Sequence, residues 1–549
     1  MQSRPNFSTG GRTMPRAAFT ACALIALATS FGCDPAPRQA SNTTFSTEKA
    51  RAQKNDENLT YALSLLRNVE TSPSPETLTP IVTRLNQWGQ DAVPIPDWKP
   101  DSLLTTLPPK QLQAAALRGL AGLDFPISDG RELVQVIWLN KIAHRAAGES
   151  NDSLAKAQSI FDWVVRNIQI EADDATPFRH GSTEILLFGK GTAADRAWLF
   201  SLLARQQGLN VVMLALPGKS EADEPKLWLP ALLDQGELYL FDPRLGLPIA
   251  GVDGKPVATL AQVIADPAVL RAMDADEQHL YPLKSEDLHD LTVYVEGTPV
   301  YLSHRMQLIE AKLGGDDSLV LSAHPEEVAR QLAGKAGVGS VRLWPLPYER
   351  LKNIETPSRD YAEYTHRQMA PFQQTPALWQ ARMLDMLGKY EEPPTASAMY
   401  QEARPSDASL SRFRAEASKI TQPQQRQMAE FQIAMMARAK QDASYWLGLL
   451  AFERASYDAA IDYLKTRVLE ASPDGPWTSG ARYNLGRAYE ADGNLDDAIR
   501  AYESDHSPQR SGNLLRAKRL KERAAAAAKE TAAHKRNRQY YPHMILDVF

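Results

Sequence analysis

The sequence predicts a multidomain α+β protein whose last third is all helical. Three observations carry this expectation. The chain, at 549 residues, exceeds what one hydrophobic core holds, and its 43% hydrophobic and 23% charged residues supply apolar material for several units. In the middle of the chain, helical periodicity gives way to runs with the pattern of antiparallel strands. From about residue 377 onward, apolar residues recur at helical spacing. A net charge of -5 gives no global reason to expect nucleic acid as a partner.

Residues 1–33 differ in kind. Arg4, Arg12 and Arg16 precede a short apolar run, Ala17 to Ala28, which ends at Ser30-Phe31-Gly32-Cys33. That is the layout of a secretory signal, and the run is too short for a stable membrane span. Met14 serves equally well as a start, because Pro15-Arg16 keeps a positive end before the same run. Gly32-Cys33 resembles the cleavage site of bacterial lipoproteins, which implies lipidation at Cys33 and a membrane-anchored place in the cell envelope, facing the periplasm. Cys22 and Cys33 are the only cysteines. The mature domains therefore lack a thiol, which excludes internal disulfides, cysteine metal sites and thiolate catalysis. Neither a metal nor a cofactor is expected.

Residues 34–58, rich in Ser, Thr, Asn, Pro and charge, read as a flexible linker. Residues 59–150 read as a helical region, with helices at Leu59–Asn68, Pro75–Trp88, Lys110–Leu120 and Arg131–Arg145 around the Pro-rich stretch Val93–Pro109. Within 151–255, Ser150-Asn151-Asp152 caps a helix running to about Ile168, with Ala157, Ile160, Phe161, Val164 and Val165 on one face. A second helix, about Ala194 to Gln207, is closed by Gly208 and followed by the strand Asn210–Leu216. Lys226–Leu233 and Glu237–Phe241, separated by Asp234-Gln235-Gly236, read as a hairpin. Residues 256–350 suggest a separate small α/β unit, with strands at Leu291–Val295, Ser318–Ser322 and Ser340–Pro345 and helices around Arg305–Lys312 and Pro325–Leu332. Residues 351–442 read as helical, 443–505 as helical repeats and 506–549 as a basic helical tail.

The segment Ser159 to Gly251 carries an ordered series of motifs. Ile160-Phe161-Asp162-Trp163-Val164-Val165-Arg166-Asn167-Ile168 precedes the Gly-rich turn Phe188-Gly189-Lys190-Gly191-Thr192-Ala193-Ala194-Asp195, which opens a leucine-rich helix. The strand Asn210–Leu216 follows, then Leu227-Trp228-Leu229-Pro230 and Tyr239-Leu240-Phe241-Asp242-Pro243-Arg244. This series resembles the transglutaminase-like superfamily and implies its papain-like α+β core. In that family a thiolate at a helix N-terminus is stabilised by the helix dipole, a histidine takes its proton and an acid orients the imidazole. The resemblance places Ala193 at the cysteine position, Lys226 at the histidine position and Asp242 at the acid position. Alanine has no attacking group, and an unburied lysine, with a reference pKa of about 10.4, is protonated at neutral pH. A hydroxyl–imidazole pair of Thr192 and His180 is the one local substitute. The ordinary roles are N-capping for Thr192, a first-turn carboxylate for Asp195 and a turn residue for Asp242.

In the C-terminal third, Tyr445-Trp446-Leu447-Gly448 with Ala460 and Leu464 recurs 38 residues later as Tyr483-Asn484-Leu485-Gly486 with Ala498 and Tyr502. This resembles tetratricopeptide repeats: Gly448, Ala460, Gly486 and Ala498 let paired helices approach closely, while Leu464 and Tyr502 are expected to fill between hairpins. Trp379–Pro405 reads as an earlier, degenerate hairpin. From Arg510 to Arg538 ten Lys or Arg face only Glu522 and Glu530, the pattern of a solvated basic helix. The sequence thus points to a non-catalytic envelope lipoprotein. It would bind protein or peptide partners through its repeats and through a cleft walled by Thr192, Lys226, Trp228 and Asp242, and the membrane through Cys33. The alternative is a peptidase or acyl transferase of the same superfamily with a displaced nucleophile.

Overall fold

The computed structural model describes residues 57–69, 73–117, 119–173, 180–218, 223–252, 255–315 and 318–540. The signal run, Cys33 and nearly all of the linker lie outside the described residues. The described residues begin with helices α1 (57–69), α2 (Pro75–Asp91), α3 (Pro109–Leu117), α4 (Ile127–Ala147) and α5 (Ser153–Asn167). Local chemistry sets their starts. Ser74 accepts from the Thr77 amide with Pro75 at the first helical position of α2, and Asp152 accepts from the Ala155 amide at α5. The apolar face read from α5 is buried as its spacing requires, Ala157, Ile160, Phe161, Val164 and Val165 alike.

The core continues as β1 (Gln169–Ile170), α6 (Ser182–Phe188), β2 (Lys190–Gly191), α7 (Ala193–Arg205), β3 (Asn210–Leu216), β4 (Lys226–Asp234), β5 (Glu237–Asp242) and β6 (Leu247–Pro248). Next come α8 (Leu260–Ala265), α9 (Pro267–Arg271), β7 (Leu291–Val295), α10 (His304–Glu310), α11 (Pro325–Leu332) and β8 (Val338–Leu343). β1 and β2 form a short parallel pair, and the other six strands form one sheet in the order β6-β5-β4-β3-β7-β8. In the β4–β5 turn both central residues, Gln235 (φ 48°) and Gly236 (φ 80°), are left-handed, the geometry whose twist matches a two-residue hairpin.

Two expectations for 256–350 are corrected here. The unit is not separate, because β7 pairs antiparallel with β3 and β8 pairs parallel with β7, which extends the core sheet. Every residue of β7 is buried, so both faces of this strand are covered. The strand expected at Ser318–Ser322 does not form. Its main-chain donors go to side chains instead, Val320 N to Gln206 and Leu321 N to Glu310.

The rest is helical: α12 (Leu346–Glu355), α13 (Arg359–Gln374), α14 (Pro376–Met386), α15 (Ala396–Glu402), α16 (Asp407–Ser418), α17 (Pro423–Glu453), α18 (Tyr457–Ile461), a π-helical continuation Asp462–Glu470, α19 (Thr478–Asp492), α20 (Leu495–Glu503) and α21 (Arg510–Tyr540). A Cβ on Gly448 would lie 2.9 Å from Leu464, and one on Gly486 would lie 2.6 Å from the Tyr502 ring. Leu464 and Tyr502 therefore fill the seam within each hairpin, against its own glycine, rather than the space between hairpins. One continuous apolar core runs from Leu59 in α1 to Leu520 in α21. No helix among the described residues is long and apolar enough to cross a membrane.

Candidate functional site

The N-terminus of α7 is built by a tight entry. Gly189 closes α6 in the left-handed conformation (φ 64°), β2 pairs with β1, and a Cβ on Gly191 would come within 2.8 Å of the Asp195 side chain. Thr192 and Asp195 then form a reciprocal capping box. Thr192 N and Oγ1 donate to Asp195 Oδ2 at 2.8 and 2.9 Å, and Asp195 N donates back to Thr192 Oγ1 at 3.3 Å. The other carboxylate oxygen accepts from Arg350 Nη2 at 2.8 Å, in an ion pair whose side chains are both 5% exposed. Ala193 is the first residue of α7 and is buried, with only a methyl group where the helix dipole favours an anion.

One turn further on, Arg196 is buried and donates to the carbonyls of Val165, Ile168 and Pro243 and to Gln509 Oε1. Burial lowers its pKa to about 10. Those acceptors come from α5, the turn after β5 and the approach to α21, so this side chain ties three parts of the molecule to α7.

Asp242 ends β5 and is buried. Its Oδ1 accepts from the amides of Arg244 (2.9 Å) and Leu245 (3.0 Å), which fixes the turn through Pro243. Its Oδ2 accepts from the Tyr281 hydroxyl at 3.0 Å, and that hydroxyl oxygen accepts from Trp228 Nε1 at 2.9 Å. Burial raises the pKa of both Asp242 and Tyr281. The aim of Trp228 has a backbone cause: Leu214 pairs with Leu229 and Ala215 with Leu227, so Trp228 is the extra residue of a β-bulge. Lys226 lies two residues earlier, exposed at the start of β4.

His180 is buried, stacked on Tyr364 (5.3 Å between ring centroids) and edge-on to Phe188 (5.0 Å). Burial lowers its pKa to about 4, against the opposing pull of the nearby Asp195. Thr192 and His180 thus both neighbour Asp195, but the threonine hydroxyl is spent on that carboxylate.

A cavity of about 450 Å³ opens beside α7 between α4, α6 and α12, and its lining includes Glu184, Trp198, Tyr301 and Arg350. Thr192, Lys226, Trp228 and Asp242 are not among the residues that line it. The structure brings Trp228 and Asp242 together through Tyr281, and Thr192 and Ala193 together at the helix start. Sequence reasoning missed Tyr281, Arg350, Arg196 and Gln509. Each acts across a long stretch of chain, so no local spacing announces it.

A leucine-rich helix entered through a capped glycine turn, backed by the antiparallel strands β3, β4 and β5, the last ending in Asp242 before Pro243, defines a transglutaminase-like domain. Residues 140–242 match the family model described as the transglutaminase-like superfamily. The chain carries that domain within a larger α+β fold; no curated protein and no solved structure matches it.

Proposed function

We propose that the protein is a non-catalytic, lipid-anchored envelope protein that binds protein or peptide partners through its helical layer. The observation that carries this reading is the start of α7, where Ala193 occupies the position of the family's thiol and the adjacent Thr192 hydroxyl is consumed by Asp195. The acid position supports it, because Asp242 accepts from Tyr281 rather than from an imidazole. A base is needed to activate a threonine hydroxyl, and the His180 imidazole is wedged between Tyr364 and Phe188.

For partner binding the support lies in α16 and α17. Phe413, Met428 and Phe431, on these two helices, are 36%, 65% and 46% exposed, and large exposed apolar side chains are a feature of interaction surfaces. By contrast α19 is occupied internally, with Gly480 N bonded to Gln169, Asn484 to the Arg166 carbonyl and Arg487 to Asp162. The proposed partner-binding face is therefore on α16 and α17. Affinity capture from envelope extract should recover a partner with the wild type and lose it with Met428→Glu/Phe431→Glu; equal recovery counts against this assignment.

The catalytic part of the reading is tested by reconstruction. Wild type should show no peptidase or transamidase turnover. Ala193→Cys with Lys226→His and Tyr281→Phe restores a thiol and an imidazole and frees Asp242. Its thiol should react faster with an alkylating probe at mildly acidic pH than Ala193→Cys alone, because more of it is thiolate. Equal rates would remove Lys226 from the histidine position, and wild-type hydrolysis abolished by Thr192→Ala would overturn the non-catalytic reading.

A further inference from the structure

On the side of the molecule formed by α1 and α4, away from the α7 site, lies an open groove of about 360 Å³. Its wall is aliphatic, supplied by α1, α4, α10 and the segment around Leu319; of these Leu63, Ile137 and Leu319 are only half-buried, so apolar surface remains in contact with water. Its remaining lining is Asn140 and three cations, Arg67, Lys141 and Lys389, and no carboxylate is among the described lining residues. Lys141 follows Ile137, and Arg67 follows Leu63, by four residues on the same helix face. On both helices the apolar wall therefore gives way to a positive charge within one turn.

That order, apolar wall then cationic rim, complements a molecule with a hydrocarbon tail and an anionic head. With about 360 Å³ of space, the groove has room for an alkyl chain. The chain's own apolar run, Ala17 to Ala28, is a poor occupant, because the preceding Arg12 and Arg16 would bring like charge to the rim. We propose that this groove binds a single-chain fatty-acid anion, its tail against Leu63, Ile137 and Leu319 and its carboxylate toward Lys141 and Lys389.

The test is fluorescence titration of the full chain with dansyl-labelled undecanoate, followed by competition. Saturable binding should be displaced by hexadecanoate, and hexadecanoate methyl ester and hexadecyltrimethylammonium should each compete at least about tenfold less well. Lys141→Glu/Lys389→Glu should weaken hexadecanoate by about tenfold or more, and Lys141→Gln/Lys389→Gln should weaken it in the same direction by less. Ile137→Trp, a change at a half-buried position, should abolish binding by filling the groove, with the circular dichroism of the chain unchanged. Equal competition by acid and ester, or unchanged affinity in both lysine pairs, would overturn the proposal. So would a dimer in solution that Ile137→Trp makes monomeric, since that outcome gives the groove to a second copy.

Discussion

At the scale of single residues, the α7 site satisfies its polar groups internally. Asp242 has two amides and Tyr281 as donors, and Asp195 has Thr192 and Arg350, so neither carboxylate is left to orient an imidazole. His180 gives this arrangement a measurable pH signature. Its folded pKa of about 4 lies below its ordinary 6.5, so the folded state holds the neutral ring while the unfolded state takes up a proton as pH falls below about 6.5. The associated stability is complete above about pH 6.5 and is lost progressively between about 6.5 and 4, by up to about 3 kcal/mol. His180→Phe keeps an aromatic ring against Tyr364 and Phe188 but cannot be protonated. In denaturant melts wild type should therefore lose stability relative to His180→Phe as pH falls from about 7 to about 4.5, whatever the carboxylates contribute to both. A constant difference between them would show that His180 is not held neutral.

At the scale of elements, the two repeat hairpins rest on the same contact, a glycine on the first helix beneath a large side chain sixteen residues later. Gly486→Leu would drive a branched side chain into the Tyr502 ring and should cost about 1–3 kcal/mol in thermal or denaturant unfolding. Unchanged stability would remove the close approach on which the resemblance to tetratricopeptide repeats depends. Elements of this kind were legible in the sequence because their signals are local. The cap at Asp152, the left-handed turn at Gln235-Gly236 and the buried face of α5 all stand where spacing and turn chemistry place them. What was not legible depends on partners far away in the chain. Leu291–Val295 reads as a strand, but nothing in those five residues says that Val212 to Ala215 will pair with it. Leu319 and Leu321 alternate like a strand, yet Gln206 and Glu310 take the donors that a ladder would need. At the site, the places of Ala193 near a helix start and Asp242 at a strand end were legible from motif order, whereas Tyr281 and Arg350 had no motif to announce them.

At the scale of the whole molecule, two attachments matter, the proposed one to the membrane and the one between the helical layer and the core. The first rests on Gly32-Cys33: Cys33→Ala should abolish incorporation of labelled fatty acid, and persistent labelling would remove the anchor. The second is visible where α21 meets the turn after β5. Arg196 reaches the Pro243 carbonyl and Gln509 together, and Leu515, Ala517 and Leu520 of α21 belong to the common core. The tightest point is Gly512, where a Cβ would lie 1.8 Å from the Leu245 carbonyl oxygen. No side-chain rotation relieves a clash between a Cβ and a main-chain oxygen, so either α21 or the turn must move. Because the Leu245 amide donates to Asp242, movement of the turn also loosens the Asp242–Tyr281–Trp228 chain. Gly512→Ala should therefore destabilise the protein by about 1–3 kcal/mol or more, and should change the Trp228 emission measured as a difference against the same pair of proteins carrying Trp228→Phe. Gly314→Ala, at a position with nothing within 4 Å of the added Cβ, serves as the control and should change neither. If Gly512→Ala melts like wild type while Gly314→Ala does also, α21 is not clamped to the core, and the basic helix at the end of the chain is an appendage rather than part of the fold.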